Sequence, residues 1–148
     1  MTSVADIVLA KIRAGYTTKP KQPKQPKRIY KPSQKIIPIP GEQWSTIEGF
    51  PNYKISNLGR IQSTARGNTR LLEHKPIKHG NNHYQKVSLC HNKTRKDQML
   101  HRLVYETFSG QKPNKIWHIN RDTIDNRYEN LENITQAELN RRTKTIKV

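Results

Sequence analysis

A single histidine lies among several Asn and Asp side chains near the carboxyl-terminal end of the chain. His118 is followed by Asn120, Asp122, Asp125, Asn126, Asn130 and Asn133. An imidazole can take up and release protons near neutral pH, and amide and carboxylate oxygens are ligands that suit hard cations such as Mg²⁺. Phosphodiester hydrolysis needs an activated water and stabilisation of the charge that develops on phosphate. The window is therefore typical of a small nuclease site.

The whole chain is strongly basic. Its 148 residues carry a formal net charge of +17, and only 32% of them are apolar, which allows one modest core with solvated extensions. This charge favours a polyanionic partner. Nucleic acid is favoured over an anionic membrane surface, because the basic segments lack interleaved apolar anchors.

Cysteine content and hydropathy restrict the class of protein further. The single cysteine, Cys90, excludes an internal disulfide and a zinc site built from several thiolates, and we expect it to be half-buried in a strand. No segment approaches the ~20 consecutive apolar residues of a membrane span, and the first residues lack the pattern of a signal peptide. We therefore expect a cytoplasmic protein with no membrane partner and no small-molecule cofactor.

The amino-terminal third is predicted to form a helix followed by an extended arm. Apolar residues at helical spacing predict a short amphipathic helix over residues 1–16, which packs on the main domain, meets a protein partner or forms only on binding. Residues 17–43 are rich in Lys-Pro and Gln-Pro pairs, which favour an extended chain. We interpret this segment as a basic arm that follows phosphates, with a soluble spacer as the alternative.

A β-rich region begins near Trp44. Alternating polar and apolar residues predict a tight hairpin from 53–56 and 60–63, and a second pair of strands at 84–89 and 97–100. The period then changes to that of a helix, with Leu100, Leu103, Val104 and Phe108 on one face and Gly110 at the end.

The last part of the chain predicts a ββα unit. Residues 116–119 and 130–134 are short strand candidates, and a helix begins at Thr135. Thr135 and Glu138 form a capping box, while Ile134 and Leu139 occupy the positions of a hydrophobic staple. The predicted fold is α+β, with small antiparallel strands followed by the ββα unit.

Polar and basic side chains on the predicted strands and the last helix are candidates for DNA contacts. The two hairpins could lay a ribbon into a groove of double-stranded DNA, and basic residues near the ββα unit would contact the backbone. The residues concerned are Lys54, Asn57, Arg60, Gln62, Lys86, Arg95, Arg121, Arg141 and Arg142.

Two blocks of the sequence resemble motifs of a known group of nucleases. The block from Trp44 to Ser63, with its Gly-Phe-Pro and Ile-Ser-Asn-x-Gly-Arg-Ile runs, is similar to the nuclease-associated modular motif of phage and intron homing endonucleases. The block with His101-Arg102-Leu103-Val104, His118-x-Asn120 and Asn130-Leu131 is similar to the HNH endonuclease motif of the same group. The resemblance divides the chain into a DNA-binding module over 44–99 and a nuclease module over 100–148.

The resemblance implies a DNA endonuclease with a ββα-metal centre, often nicking one strand, in the cytoplasm of a bacterial or phage-infected cell. It implies His118 as the general base and Asn130 as the residue that fixes the loop orienting it. It also implies one divalent cation, Mg²⁺ or Mn²⁺.

The sequence departs from the family pattern at the metal ligands. Trp117 stands where many relatives have a ligating residue, and it has no lone pair to offer. Leu139 stands at the position of the third motif residue, which leaves Asn140, Asn120 and Asp122 as candidate ligands. A second hypothesis follows: a catalytically degenerate protein of this fold that binds nucleic acid as an accessory factor.

Overall fold

The computed structural model describes residues 3–5 and 35–146. Residues 35–146 lie in one compact unit. Most of the predicted helix over 1–16 and most of the arm over 17–43 lie outside the described residues. Within the described part of the chain, no helix is long and apolar enough to cross a membrane.

The compact unit combines short antiparallel strands with two helices, which confirms the α+β prediction. The strands are β1 (Trp44–Ile47), β2 (Phe50–Ser56), β3 (Ile61–Ser63), β4 (Arg70–Leu71), β5 (Pro76–His79), β6 (Asn82–His91), β7 (Thr94–Met99), β8 (Lys115–His118) and β9 (Leu131–Ile134), and the helices are α1 (Leu100–Ser109) and α2 (Gln136–Thr145). Three sheets result, with strand orders β1-β2-β3-β4, β5-β6-β7 and β8-β9. The alternation pattern predicted β2, β3, β6 and β7, but not the short strands β1, β4 and β5.

The first predicted hairpin is present as β2 and β3. Tyr53 and Ile55 point into the core, and Lys54 pairs with Gln62 on the outer face. The turn is closed by a 2.8 Å hydrogen bond from the Ser56 amide to the carbonyl of Arg60.

The second hairpin, β6 and β7, turns through two residues with positive φ, Asn92 and Lys93, which is the geometry of a type I′ turn. Val87 and Leu89 face the core. Since side chains alternate along a strand, Cys90 points outward, and its thiol is exposed. The prediction of a half-buried cysteine is therefore wrong.

Helix α1 supplies the centre of the core. Leu100, Leu103 and Val104 are buried, as their spacing predicted. Gly110 ends the helix in the left-handed conformation at φ 69°, and its amide donates to the carbonyl of Glu106 at 3.0 Å. This is the expected C-terminal cap.

One hydrophobic cluster joins the two halves of the sequence. It contains Ile55 from β2, Leu89 from β6, Leu100 and Val104 from α1, and Leu131 from β9. The modules that the resemblance assigned to 44–99 and 100–148 thus share a single core, and the elements of the first module support the second.

Strands β8 and β9 and helix α2 form the predicted ββα unit. His118 pairs with Leu131 at the end of the two-stranded ribbon. The Thr135 hydroxyl oxygen accepts from the amide of Glu138 at 3.2 Å, which is the N-cap half of the predicted capping box. The Glu138 carboxylate turns toward basic residues of its own helix instead of closing the box.

Candidate active site and nucleic-acid interface

His118, the last residue of β8, lies in the wall of a cavity of about 650 Å³. Only 5% of the residue is exposed, and its Nε2 atom has no hydrogen-bond partner among the described residues. Burial lowers the pKa of His118, while the Asn126 side chain and the carboxylates of Asp122 and Asp125 oppose that shift. The ring is therefore neutral at neutral pH and can accept a proton.

Asn130 holds the loop that follows His118. Its side chain is buried, and its Oδ1 atom accepts from the amide of Asn120 at 2.9 Å. Its Nδ2 atom donates to Asn120 Oδ1 at 3.0 Å and to the carbonyl of Asp125 at 2.9 Å. The carbonyl of Asn130 also accepts from the amide of Ile119 at 2.9 Å. These bonds fix the chain immediately after the histidine.

Strand β6 supports the same loop from the other side. Asn126 Nδ2 donates to Gln85 Oε1 at 2.8 Å, and the Thr123 hydroxyl donates to the carbonyl of His83 at 2.5 Å. Both bonds join the first half of the sequence to the loop of the second half.

The turn between β2 and β3 packs directly against this loop. The amide of Tyr128 donates to the carbonyl of Asn57 at 2.8 Å. A Cβ atom placed on Gly59 would lie 3.2 Å from both the Cβ and the carbonyl oxygen of Asn126. The turn and the loop thus touch at a point where only glycine fits without movement.

The three candidate metal ligands already form hydrogen bonds with other groups of the protein. Asn140 is exposed on α2, where its Oδ1 atom accepts from Gln136 at 2.9 Å. Asn120 uses its side chain within the loop, donating to Asp125 Oδ2 at 2.8 Å and accepting from the Asp122 amide at 2.9 Å. Asp122 is exposed and accepts from the amide of Ile124. Their role in binding a cation stays a prediction.

The described residues that line the cavity beside His118 include no carboxylate, the ligand that a hard divalent cation prefers. Trp117 and Leu139, which stand at the usual ligand positions, both lie in its wall. None of the described residues lining the cavity is Asp or Glu, whereas Arg102, Lys115 and Arg121 are cationic. The described residues contain no group of three or more His, Cys, Asp or Glu side chains arranged to hold a metal ion. A cation bound there would meet like charge and apolar surface.

Arg142 of α2 contacts both strands of the ββα unit and a second residue of its own helix. Its guanidinium lies 5.6 Å from the centre of the Trp117 ring, and it donates to both carboxylate oxygens of Glu132 at 2.7 and 3.1 Å. Its Nε atom donates to Glu138 at 2.6 Å, and these carboxylates raise its pKa. The guanidinium that we predicted to contact DNA is therefore engaged within the protein.

Three of the predicted DNA-binding side chains are available on the surface. Lys54 and Gln62 lie opposite one another on the outer face of β2 and β3, and Arg121 is exposed beside the cavity. None of the three side chains forms a hydrogen bond or ion pair with the rest of the described chain.

Two others are used to build the fold. The side chain of Asn57 accepts from the amide of Gln43 at 2.8 Å and donates to the carbonyl of Gly41 at 3.1 Å. Arg60 pairs with the buried carboxylate of Glu42 and stacks on the Trp44 ring at 5.5 Å. Arg60 is the largest cause of the lowered pKa of Glu42.

The remaining candidates form ion pairs on exposed faces. Lys86 and Arg95 both contact Asp97, at 2.9 and 3.1 Å, and Arg141 contacts Glu138 at 2.7 Å. Exposed ion pairs of this kind contribute little to stability, so these cations can exchange a carboxylate for a phosphate. Their part in DNA binding stays a prediction.

Sequence reasoning did not assign a role to His101, although the structure brings it to His118. The two ring centres are 5.2 Å apart at an interplanar angle of 71°. His101 comes from α1 and His118 from β8, so neither periodicity nor spacing placed them together. The histidine inside the helical block 100–104 was the one available signal, because it interrupts an otherwise apolar face.

Comparisons with known proteins agree with this arrangement. Residues 42–93 match the NUMOD4 motif, and residues 98–141 match an HNH endonuclease domain. A solved structure of the HNH homing endonuclease I-HmuI, described for DNA binding and cleavage, matches with a TM-score of 0.59 and 26% identity over 71% of this chain. The chain spans 59% of the length of that protein. Comparison with curated proteins gave no significant match.

HNH nucleases as a group use a divalent metal ion. The fold and the order of the two motifs correspond to that group. The chain therefore carries a NUMOD4 motif over residues 42–93 followed by an HNH endonuclease domain over residues 98–141, in a fold similar to that of an HNH homing endonuclease.

Proposed function

We propose that this protein binds double-stranded DNA and hydrolyses one of its phosphodiester bonds at His118, nicking one strand. The observation that carries the proposal is the buried His118 ring, which lies in the cavity wall and whose Nε2 atom has no hydrogen-bond partner among the described residues. Its neighbours in the loop are fixed by Asn130. A neutral, preorganised imidazole beside a basic cavity is suited to act as a general base on a phosphodiester.

In the proposed reaction, Nε2 of His118 takes a proton from a water molecule as its oxygen forms a bond to phosphorus. One P–O ester bond breaks as this bond forms, and the departing sugar oxygen takes a proton from solvent. Arg121 and Lys115, at the cavity rim, supply positive charge that favours the phosphate over water. Asn130 positions the histidine through the loop and does not touch the DNA.

Because HNH nucleases use a divalent metal ion, Mg²⁺ or Mn²⁺ remains the proposed cofactor. The described residues, however, do not supply a suitable set of ligands. No reaction step is therefore assigned to a cation. Trp117 and Leu139 in the cavity wall favour a second candidate function, in which the protein binds DNA as an accessory factor without cutting it. A protein partner for residues 1–16 and a cytoplasmic location stay predictions.

The two functions are separated by measuring cleavage and binding on the same samples. Supercoiled plasmid carrying the DNA that flanks the gene is incubated with the protein in Mg²⁺, in Mn²⁺ and in chelator, and binding is followed by gel shift over a range of salt. Conversion to the nicked form supports the endonuclease. Tight, salt-sensitive binding with no nicking under any condition would replace it with the accessory factor.

A further inference from the structure

The outer half of the β6–β7 hairpin is a two-stranded antiparallel ribbon. Strand β5 pairs with β6 only over residues 82–85, whereas residues 86–91 pair with residues 94–99 of β7 alone among the described strands. One face of this ribbon packs on the core through Val87 and Leu89. Because side chains alternate along a strand, the other face points away from the core. A two-stranded ribbon of this kind fits the major groove of double-stranded DNA.

The ribbon is basic, with one exception. Between residues 82 and 99 the only carboxylate is that of Asp97, and the basic side chains are Lys86, Lys93, Arg95 and Lys96. The positive charge suits a surface that meets DNA. A carboxylate on the same surface repels phosphate, so Asp97 must serve something other than general attraction to the DNA backbone.

Asp97 holds the guanidinium of Arg95 in one orientation. Arg95 Nε donates to Asp97 Oδ1 at 3.1 Å, and Arg95 Nη2 donates to Ser88 Oγ at 2.8 Å. The Ser88 hydroxyl in turn donates to Asp97 Oδ1 at 2.5 Å, which closes a ring of three hydrogen bonds. Bonds from Ser88, Lys86 and Arg95 lower the pKa of Asp97, so its carboxylate is ionised at neutral pH. The Arg95 side chain is therefore oriented, although 67% of it is exposed.

One edge of this guanidinium remains free for a ligand. A guanidinium carries five N–H donors in one plane, and the bonds to Asp97 and Ser88 use the edge formed by Nε and Nη2. The edge formed by Nη1 and Nη2 still has an N–H on each nitrogen. Two such parallel donors match O6 and N7 of guanine in the major groove. A flexible Lys serves a phosphate as a point charge, whereas a base edge requires a fork that is held in place.

We propose that Arg95 recognises a guanine in the major groove of the DNA and that Asp97 is the residue that positions it. The outer face of the β6–β7 ribbon then lies against the base edges and gives the protein part of its sequence preference. This inference rests on the proposed binding of double-stranded DNA, but it does not require that the protein cut the DNA.

The first test selects bound duplexes from a random-sequence DNA library with the full chain. Wild type is compared with Arg95→Ala and with Lys96→Ala, which removes the same charge at the position opposite the buried Leu89. We expect Lys96→Ala to select the wild-type site, and Arg95→Ala to lose the preference for one guanine while it keeps the others. An unchanged site for Arg95→Ala, or a wild-type site without a preferred guanine, would overturn the proposal. Failure of wild type to bind any duplex would contradict the proposed function as well.

The second test measures affinity for the selected duplex and for one in which adenine replaces that guanine. Wild type should bind the adenine duplex about tenfold to a hundredfold more weakly, whereas Arg95→Ala should bind the two almost equally. Asp97→Ala should bind the adenine duplex more tightly than wild type, because a negative charge is removed, and yet discriminate less. An equal loss of affinity for both duplexes in Arg95→Ala would identify a phosphate contact and overturn the proposal. Full discrimination by Asp97→Ala would refute its positioning role.

Discussion

The contact between the β2–β3 turn and the loop after His118 predicts that Gly59→Ala destabilises the protein more than the same change elsewhere. Gly59 has φ 81°, and an added Cβ would lie 3.2 Å from the carbonyl oxygen of Asn126. Gly49 has nearly the same φ, 75°, with nothing within 4 Å of an added Cβ. The pair therefore separates the cost of the backbone conformation from the cost of the contact.

The magnitude follows from these two differences. A left-handed conformation costs a residue with a Cβ roughly 1–2 kcal/mol, and the reduced freedom of the unfolded chain offsets about 0.4–1 kcal/mol of it. Gly49→Ala should therefore lower the free energy of unfolding by about 1 kcal/mol. Displacing a packed backbone adds roughly 1–3 kcal/mol, so Gly59→Ala should lower it by about 2–4 kcal/mol.

Urea denaturation of wild type and the two variants measures these free energies, provided that the slopes of the three transitions agree. A free energy of unfolding for Gly59→Ala within about 0.5 kcal/mol of that for Gly49→Ala would refute the close packing of turn and loop. Because Asn126 lies beside His118, we also expect Gly59→Ala to alter the ¹H–¹⁵N NMR signals of the His118 ring, whereas Gly49→Ala should not.

Three further predictions test the electrostatics. Burial lowers the pKa of His101 to about 4, so its contribution to stability is complete above the unfolded pKa of about 6.5 and is lost as pH falls toward 4. A shift of that size corresponds to about 3 kcal/mol. Urea denaturation at several pH values should therefore show a smaller loss of stability at low pH for His101→Gln than for wild type. Arg142→Met should lower the urea midpoint more than Arg141→Met, because it removes the Trp117 contact and two ion pairs. Equal midpoints would show that the contacts of Arg142 do not stabilise the ββα unit. In gel shifts over a range of salt, replacing Lys54 with Ala should reduce the salt slope by about 1 while leaving the urea midpoint unchanged, and a lower midpoint would show that Lys54 is structural.

The local elements of the fold could be predicted because their signals are local. The hairpin at 53–63 follows from alternation and a glycine turn, and α1 follows from its apolar spacing and Gly110. Strands β1, β4 and β5 were missed because their sequences, Trp-Ser-Thr-Ile, Arg-Leu and Pro-Ile-Lys-His, show no clear alternation of polar and apolar residues. Tertiary pairing, not intrinsic preference, makes them strands.

The site was predicted only as far as its residues lie close together in the sequence. His118 and the loop residue Asn130 stand in one polar window, so pattern alone brought them together. His101 required the packing of α1 against the β8–β9 ribbon. Asn57 and Arg60 looked like surface residues of a hairpin, but their partners lie 14 to 23 positions earlier in the chain.

The central claim is that His118 is the base of a DNA-nicking reaction, and one comparison tests it most directly. His118→Ala and the exposed control His83→Ala are assayed with wild type on supercoiled plasmid, in whichever cation condition gives the highest nicking rate. We expect the His83 variant to nick at the wild-type rate and the His118 variant to lose at least about a hundredfold. Nicking by His118→Ala at the wild-type rate would contradict the account.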